Sequence, residues 1–427
     1  MENVGGGLIR PAYSLRRDDL GEFCGTKGLN DTINTACKFK VMFKRIFKPS
    51  GKSSFFLFGP RGSGKTHLVK NCFSPQSMFY LDLLDPDIQQ ELILRPRGLV
   101  ERLDILAPEV KWIVIDEIQK IPGLLDVVHQ QIERGRFQFA LTGSSARKLK
   151  RGAANLLAGR AFLYHLFPLT AGEIGGGFSL ASALQWGTLP RVLSLEKDED
   201  KRDYLRSYAH AYLQEEITQE QIVRRLDPFR RFLQVAAQMS GQTLNFSKIA
   251  RDCLTTVPTI QSYFQILEDT LIGFLLEPFH ESIRKRQRGN PKFYFFDTGV
   301  LRALSGTLSV NLAPRTADFG IAFEHFLIQE IRRLESYAKK DWRFSYLRTK
   351  DGAEIDLIIE RPGLKRALVE IKSSERIAPE DISGVRSLAP DIPQSEAFCL
   401  SLDPTAKIID GVRCLPWERG LKDLGLC

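Results

Sequence analysis

Short runs of apolar residues alternate with longer stretches of helical periodicity between Ser53 and about Thr170. Five of these runs have the length of a β-strand and are almost continuously apolar, at residues 55–58, 78–83, 111–115, 136–141 and 161–166. Such strands, separated by helices, are typical of a parallel sheet that is covered on both faces. The pattern therefore predicts an α/β domain built on a parallel sheet.

The pattern changes twice further along the chain. Residues 171–300 have mostly helical spacing, and within them three short helices at 229–239, 245–251 and 257–268 precede two strand-like pieces at 273–278 and 292–296. Three helices followed by a strand pair predict a winged-helix module. A helix at 319–334 and strands at 342–348, 354–360 and 368–371 then predict a smaller C-terminal α/β domain.

A glycine-rich loop follows the first predicted strand and opens a helix. Its sequence fits the phosphate-loop pattern at every position: Gly59, Pro60, Arg61, Gly62, Ser63, Gly64, Lys65 and Thr66. Glycines let successive backbone N–H groups surround an anion, and the helix N-terminus adds partial positive charge. We expect ATP to bind here, with Lys65 at the β- and γ-phosphates and Thr66 as a ligand of Mg²⁺.

Polar residues lie next to three of the other predicted strands. They follow the third and fourth strands and precede the fifth. Asp116 and Glu117 follow an apolar strand, where Asp116 would hold magnesium and Glu117 would polarise the attacking water. Ser144, at the tip of the next strand, could touch the γ-phosphate. Arg160 precedes the fifth strand and could complete the site of a neighbouring subunit, unless it is a solvated surface arginine.

Carboxylates and a lysine recur in the C-terminal region. Glu324 lies in the predicted helix, Asp356 in a strand, and Glu370 and Lys372 share one face of the next strand because they are two residues apart. We expect these four side chains to converge on one Mg²⁺ ion, with Lys372 acting on water. The alternative is that the charges lie on a solvated strand face.

Composition and charge narrow the class of protein. The chain has 427 residues and a net charge of +9, which permits nucleic-acid binding without requiring it. A basic run between the two strands of the winged-helix module would form a wing near a DNA backbone; it comprises Arg284, Lys285, Arg286, Arg288 and Lys292. The module could instead only pack against the ATPase part or a neighbouring subunit.

Other sequence signals point to a cytoplasmic protein. The seven cysteines contain no Cys-x-x-Cys pair, so zinc sites and a disulfide framework are not expected. No apolar run reaches the roughly 20 residues of a membrane helix, and we identify no secretory signal.

The ordered set GPRGSGKT, IVIDEIQKIP, FALTGSSARKL, LAGR and FPLTAGEI resembles the AAA+ ATPases of bacteria and archaea that carry a DUF4143-type C-terminal region. The resemblance runs from about residue 50 to residue 375. It implies nucleotide binding by Lys65 and Thr66, magnesium and water binding by Asp116 and Glu117, a sensor role for Ser144 and an arginine finger at Arg160. It also implies a homo-oligomer, such as a ring.

Two weaker resemblances complete the expectations. Arg191 falls in the lid region and could be a second sensor. The order helix-Glu, strand-Asp, strand-Glu-x-Lys resembles the PD-(D/E)XK nucleases, with Glu324, Asp356 and Glu370 on the metal.

These observations predict five segments. They are an N-terminal extension (1–50), an AAA+ nucleotide-binding core (51–170), a helical lid (171–225), a winged-helix module (226–305) and a nuclease-like domain (306–427). The predicted function is an ATP-hydrolysing AAA+ protein that acts on DNA with a metal-dependent nuclease-like domain. The alternative is a nucleotide-switched oligomeric scaffold whose nuclease-like domain binds nucleic acid or protein without cleavage.

Overall fold

The first half of the chain folds around a parallel sheet. A computed structural model describes residues 43–145, 159–212, 226–280 and 289–426. The strands and helices of this part, in chain order, are β1 Phe55–Phe58, α1 Lys65–Cys72, β2 Met78–Asp82, α2 Pro86–Leu94, α3 Gly98–Asp104, β3 Trp112–Asp116, α4 Leu124–Arg134, β4 Gln138–Gly143 and β5 Phe162–His165. The strand order is β2-β3-β4-β1-β5, and all pairs are parallel.

Both faces of this sheet are covered, as the apolar strands predicted. Phe56, Ile113 and Leu141 pack in a cluster on one face, while Phe55 and Val114 belong to a second cluster on the other. The predicted fold class, α/β with a parallel sheet in the AAA+ part, is confirmed. Because parallel strands end at the same edge, the loops after β1, β3 and β4 meet there.

The helical middle starts at a capped turn. The Thr170 side chain accepts the Glu173 N–H, and the Glu173 carboxylate accepts the Thr170 N–H, so the FPLTAGEI segment forms a capping box. The helices that follow are α5 Ala171–Ile174, α6 Leu180–Trp186, α7 Pro190–Leu193, α8 Asp198–Ser207, a π-helix at Tyr208–Tyr212, α9 Leu226–Gln238, α10 Phe246–Asp252 and α11 Val257–Asp269.

The last part of the chain contains a second, larger sheet. Its elements are β6 Gly273–Pro278, β7 Lys292–Phe295, α12 Thr298–Leu304, α13 Ala317–Ala338, β8 Arg343–Arg348, β9 Glu354–Glu360, β10 Arg366–Lys372, α14 Ser383–Leu388, β11 Ser395–Ser401, β12 Lys407–Ile409, β13 Val412–Pro416 and α15 Trp417–Asp423. The sheet has eight strands in the order β12-β13-β11-β10-β9-β8-β6-β7.

The hairpin β6–β7 therefore belongs both to the three-helix module and to the C-terminal sheet. It follows the three helices α9–α11, as a wing does, and it also extends the C-terminal sheet, because Glu277 and Pro278 of β6 pair with Ser345 and Tyr346 of β8. Apolar residues of the hairpin pack in the same cluster as the buried face of α13. The helical middle and the C-terminal part thus share one continuous sheet.

The structure corrects the expected position of one basic residue. Lys292 is not on an exposed wing: it opens β7 and is only 3% exposed. The other four basic residues of that run, Arg284 to Arg288, lie outside the described residues. In the parts of the chain that the structure describes, no helix is long and apolar enough to cross a bilayer.

Candidate functional site

The glycine-rich loop leaves β1 at the carboxyl edge of the parallel sheet. Gly62 and Gly64 have φ values of 78° and 95°, which an L side chain adopts only with strain. A Cβ atom at Gly59 would collide with the carbonyl oxygen of Leu166. The glycines of the motif are therefore required by the backbone path of the loop, whose exit forms the N-terminus of α1.

Lys65 lies inside this loop. Its Nζ donates to the carbonyl oxygens of Gly59 at 2.8 Å and Pro60 at 3.3 Å, and the residue is buried. The hydroxyl of Ser63 is also buried and has no hydrogen-bond partner. A buried cation and an unsatisfied hydroxyl in one glycine-rich turn fit an oxyanion such as a phosphate group.

The first residue of α1 after Lys65 reaches the acidic end of β3. Thr66 Oγ1 donates to Asp116 Oδ2 at 2.6 Å, although β4 separates β1 from β3 in the sheet. Asp116 also accepts from Tyr80 Oη at 2.6 Å and from Thr142. Burial and the Asp116 carboxylate raise the pKa of Tyr80. A hydroxyl and a carboxylate side by side are the oxygen donors that Mg²⁺ prefers, so these residues fit that ion.

Glu117 lies one residue beyond Asp116 in an unusual backbone conformation. Its φ of 60° is in the left-handed region, which is uncommon for a residue with a side chain. Its backbone N–H donates to Thr142 Oγ1 at 3.3 Å, while the Gln119 amide donates to the Glu117 carboxylate and to Ser144 Oγ at 3.0 Å. The structure thus brings Glu117 and Ser144 together, 3.5 Å apart.

Gln119 is a site residue that sequence reasoning missed. It is 5% exposed and links the acid after β3 to the serine after β4. The available signal was a polar residue two positions after Glu117, between Ile118 and Lys120.

The helical middle contacts the loop from above. Tyr208 Oη donates to the Arg61 carbonyl at 2.8 Å, and its ring belongs to the apolar cluster that includes α9–α11. A Cβ at Gly62 or Gly64 would lie 3.3 Å from Tyr204 Oη or 3.9 Å from Pro190. Arg191 follows Pro190 with an exposed side chain, and its sensor role stays a prediction.

Arg160 is not at the nucleotide site of its own chain. It precedes β5, at the amino edge of the sheet, whereas the phosphate loop follows β1 at the carboxyl edge. Its guanidinium pairs with Glu133 near the end of α4, and this hydrogen bond lowers the pKa of that carboxyl. A catalytic role for Arg160 would therefore have to be in another subunit's site, and the alternative of a solvated surface arginine also fits this exposed ion pair.

The C-terminal carboxylates lie close together on α13, β9 and β10. In the antiparallel pairing Leu357 is opposite Val369, so Asp356 and Glu370 are the next residues along each strand. Lys372 Nζ lies 2.7 Å from Glu370 Oε1, and Asp356 Oδ2 accepts the Ile371 N–H at 2.8 Å. The structure therefore brings together all four residues that the sequence singled out here.

The buried carboxylates in this cluster repel one another. Burial, reinforced by Glu324 and Glu370, raises the pKa of Asp356 well above its usual range. Burial also raises the pKa of Glu370, although Lys372 offsets part of the effect. One oxygen of Glu370, Oε2, is buried without a hydrogen-bond partner. Such carboxylates are stabilised by a nearby cation, and Lys372 supplies one for Glu370.

Two more side chains from β7 enter the same cluster. Lys292 Nζ lies 2.5 Å from Glu354 Oε1 and 3.8 Å from Glu324 Oε1, and Tyr294 Oη donates to Glu324 Oε1 at 2.7 Å. Sequence reasoning missed Glu354 and Tyr294 as members of the cluster. Across the described ranges, no group of three or more His, Cys, Asp or Glu side chains is arranged to hold a metal ion. A metal site at Glu324, Asp356 and Glu370 stays a prediction.

The three-helix module exposes a polar surface. Lys248 and Arg251 on α10 are exposed, as are Gln261, Ser262 and Gln265 on α11. The opposite sides of both helices are buried in the apolar cluster. Cationic side chains next to uncharged hydrogen-bonding side chains can contact the backbone of a nucleic acid. The alternative is that this polar surface faces only solvent.

Three family comparisons cover most of the chain. Residues 52–175 match an AAA domain, residues 178–311 match a domain of unknown function, DUF8612, and residues 319–418 match another, DUF4143. The predicted AAA+ and DUF4143 relationship is confirmed.

Similar proteins are known from several organisms. Uncharacterised proteins of Mycobacterium bovis and Mycobacterium tuberculosis are each 29% identical over 311 residues, which is 72% of this chain and 67% of the relative. One from Haemophilus influenzae is 23% identical over 220 residues, 48% of this chain and 55% of the relative.

Solved structures show only distant likeness. The Aeropyrum pernix ORC1 protein in complex with DNA is 14% identical, with a TM-score of 0.31, over 61% of this chain and 87% of that one. The Saccharomyces cerevisiae Hsp104–ADP complex is 14% identical, with a TM-score of 0.26, over 74% of this chain and 43% of that one.

Proposed function

We propose that this chain, which matches an AAA domain and a C-terminal DUF4143 domain, binds and hydrolyses ATP with Mg²⁺ and acts on DNA. The observation that carries the proposal is the contact between Thr66 and Asp116, 2.6 Å apart, next to the buried Lys65. A cation, a hydroxyl and a carboxylate at the exit of a glycine-rich loop are what a nucleoside triphosphate with its metal requires.

The residues of the site divide the work. The loop and Lys65 would bind the phosphates, and Thr66 and Asp116 would hold Mg²⁺. When bound, that ion neutralises charge on the phosphate oxygens. Glu117 would accept a proton from the attacking water, and Gln119 would hold the Glu117 carboxylate in place, since its amide donates to that carboxylate.

Tyr208 would transmit the conformational change that accompanies ATP hydrolysis from the phosphate loop to the helical middle. Its hydroxyl contacts the loop, while its ring is part of the core of the helical middle. A change in the loop would therefore move the lid and the hairpin β6–β7 that follows α11. Arg160 would act in the site of a neighbouring subunit of a homo-oligomer.

The DNA part of the proposal concerns the C-terminal half. The polar surface of α10 and α11 would contact nucleic acid, and the cluster of Glu324, Asp356, Glu370 and Lys372 would bind a divalent ion and cleave the backbone. The net charge of +9 supports a polyanionic partner. The carboxylate cluster resembles the PD-(D/E)XK nuclease arrangement in the order of its residues along the chain and in the contact between Glu370 and Lys372.

A second candidate function is a nucleotide-switched scaffold without cleavage. The observation that favours it is that Lys292 and Lys372 already pair with Glu354 and Glu370. Carboxylates that are paired with lysines need no metal ion to compensate for their buried charge.

One experiment separates the two candidates. Purified protein is incubated with linear and circular DNA, with and without ATP, in Mg²⁺ or Mn²⁺. We expect cleavage that needs the metal and disappears in Asp356→Asn, while Asp410→Asn, at an exposed carboxylate on the far edge of the sheet, cleaves normally. DNA retention without cleavage under all conditions would support the scaffold and refute the nuclease.

A further inference from the structure

One buried arginine joins the C-terminal part to both other parts of the chain. Arg333 lies on α13 and is 2% exposed. Its Nη1 donates to the carbonyl oxygen of Leu169 at 3.1 Å and to Thr188 Oγ1 at 2.9 Å, and its Nη2 donates to the carbonyl oxygen of Phe296 at 2.8 Å. Leu169 belongs to the region that matches the AAA domain, whereas Thr188 and Phe296 belong to the helical middle. We call these four residues the junction.

The hydroxyl of Thr188 is one of three polar groups by which this residue is held. Its carbonyl oxygen accepts the Leu169 N–H at 3.0 Å, and its own N–H donates to Asp297 Oδ2 at 2.8 Å. The preceding residue, Gly187, has a φ of 77°, and a Cβ atom there would lie only 2.0 Å from Asp297 Oδ1. Together with the bond from Arg333, these contacts give Thr188 a single position.

The two residues after Thr188 contact the phosphate loop. A Cβ atom at Gly62 would lie 3.8 Å from Leu189 Cδ2, and one at Gly64 would lie 3.9 Å from Pro190 Cγ. Leu189 is fully buried, so its side chain leaves the loop only if its surroundings repack. The hydroxyl at the junction is therefore one residue along the chain from a side chain that covers the loop.

We infer that Arg333 is a positioning residue for the nucleotide site: through Thr188 it holds residues 189–190 against the phosphate loop, so that the C-terminal part sets the affinity for ATP. The inference rests on the proposed ATP binding and deepens it. Coupling of this kind is reciprocal, so bound ATP in turn stabilises the junction and the position of α13. This route is separate from Tyr208, which contacts the loop from the π-helix.

The test measures the Kd for ATP by isothermal titration, with Glu117→Gln in every chain so that bound ATP persists. Thr188→Val removes the hydroxyl that accepts from Arg333 and keeps the shape of the side chain and both backbone hydrogen bonds. A hydrogen bond to a charged group corresponds to roughly tenfold or more in an equilibrium constant, and only part of this stabilises the loop. We expect the Kd for ATP to rise about threefold or more.

A steady-state measurement without the Glu117 substitution separates binding from chemistry. Thr188→Val should raise the KM for ATP by a similar factor, while kcat changes by less than about twofold, because no group that touches the phosphates is altered. A purely structural role for Thr188 would instead lower the free energy of unfolding and leave the KM of the folded chain unchanged.

Two control variants isolate the hydroxyl. Thr188→Ser keeps it and should bind ATP with the parent Kd. Thr349→Val makes the same chemical change in the turn between β8 and β9, where the hydroxyl accepts the Ala353 N–H at 3.1 Å, and should also keep the parent Kd. Urea unfolding of each chain shows how much stability each substitution removes.

Leu189→Val tests the next step if Thr188→Val does not fold. It shortens the side chain at the atom nearest to Gly62 and leaves the hydrogen bonds of the junction in place. The Kd for ATP should rise in this variant as well, and an unchanged Kd would contradict the inference.

The outcomes distinguish two failures. If the parent chain binds no ATP, the proposed function is wrong and this inference falls with it. If the parent binds ATP and folded Thr188→Val has the same Kd, ATP binding stands and the positioning role of Arg333 is refuted. An equal rise of the Kd in Thr188→Ser and Thr188→Val would refute it too, because the hydroxyl would then not be the group that matters.

Discussion

The contact between Tyr208 and the phosphate loop allows a quantitative prediction. In Tyr208→Phe the ring stays in its apolar cluster, where the tyrosine is 1% exposed, and only the hydroxyl that donates to Arg61 O at 2.8 Å is lost. A neutral hydrogen bond contributes about 1 kcal/mol, which corresponds to roughly fivefold in an equilibrium constant. Because this hydrogen bond holds the loop in its observed conformation, part of the ATP-binding free energy in the variant would be spent on ordering the loop. We expect the Kd for ATP to rise about fivefold.

The assay is isothermal titration of ATP with a non-hydrolysing background, Glu117→Gln, in all chains. Tyr263→Phe is the matched control, because it makes the same chemical change in the same apolar cluster away from the loop. Its Kd for ATP should stay within a factor of two of the parent value. If Tyr208→Phe also stays within that factor while remaining folded, the hydroxyl does not hold the loop and the proposed route from the nucleotide to the helical middle is wrong.

Three further predictions concern other groups. Glu117→Gln should bind ATP normally and hydrolyse it about 10²- to 10⁴-fold more slowly, because an amide cannot accept the proton; unchanged turnover would assign the base to another residue. Arg160→Ala should lose turnover but keep its ATP affinity, and mixing it with Lys65→Ala chains should restore some activity; no recovery at any ratio would exclude a role across subunits. Glu330 is 1% exposed, and burial raises its pKa from 4.5 to about 7. The folded state therefore binds this proton more tightly than the unfolded state, and the protein loses stability as the pH rises from 4.5 to 7. Relative to the native chain, Glu330→Gln should therefore gain about 3 kcal/mol of unfolding free energy between pH 4.5 and pH 8, measured by urea unfolding; a pH-independent difference would show that this carboxyl titrates normally.

The first sheet could be predicted from sequence because its strands are short, apolar and separated by helices. The five predicted strands differ from the observed ones by at most two residues at either end. The strand order could not be predicted, since it depends on crossovers rather than on local pattern. β4 lies between β1 and β3, and this is why Thr142 and Ser144 sit beside Asp116 and Glu117.

The second sheet was harder to predict. Three strands after residue 342 were expected, whereas six are present, because β11, β12 and β13 combine apolar and polar residues in a way that also fits loops. The hairpin β6–β7 resembles a wing in sequence. Its pairing with β8 depends on contacts between residues about 70 positions apart, which no local signal contains.

The carboxylate cluster shows the same limit at the level of single residues. Glu324, Asp356, Glu370 and Lys372 could be selected because their order along the chain has a known chemical meaning. Lys292 could not, because it ends the basic run that starts at Arg284, and such a run ordinarily indicates a solvated loop. Its burial follows from β7 packing beside α13, which is a property of the whole fold.

The central claim is that the loop from Gly59 to Thr66 binds and hydrolyses ATP. The most direct test is steady-state phosphate release from ATP with Mg²⁺, comparing the native chain with Lys65→Ala and Lys52→Ala. Both variants remove one lysine charge next to β1, but Lys52 is exposed at the amino end of the strand and Lys65 is buried in the loop at the other end. One lost charge-assisted hydrogen bond is worth about 1.5–3 kcal/mol, so Lys65→Ala should lose at least tenfold in turnover at limiting ATP, while Lys52→Ala keeps the native rate. Equal phosphate release by all three folded proteins would contradict the account.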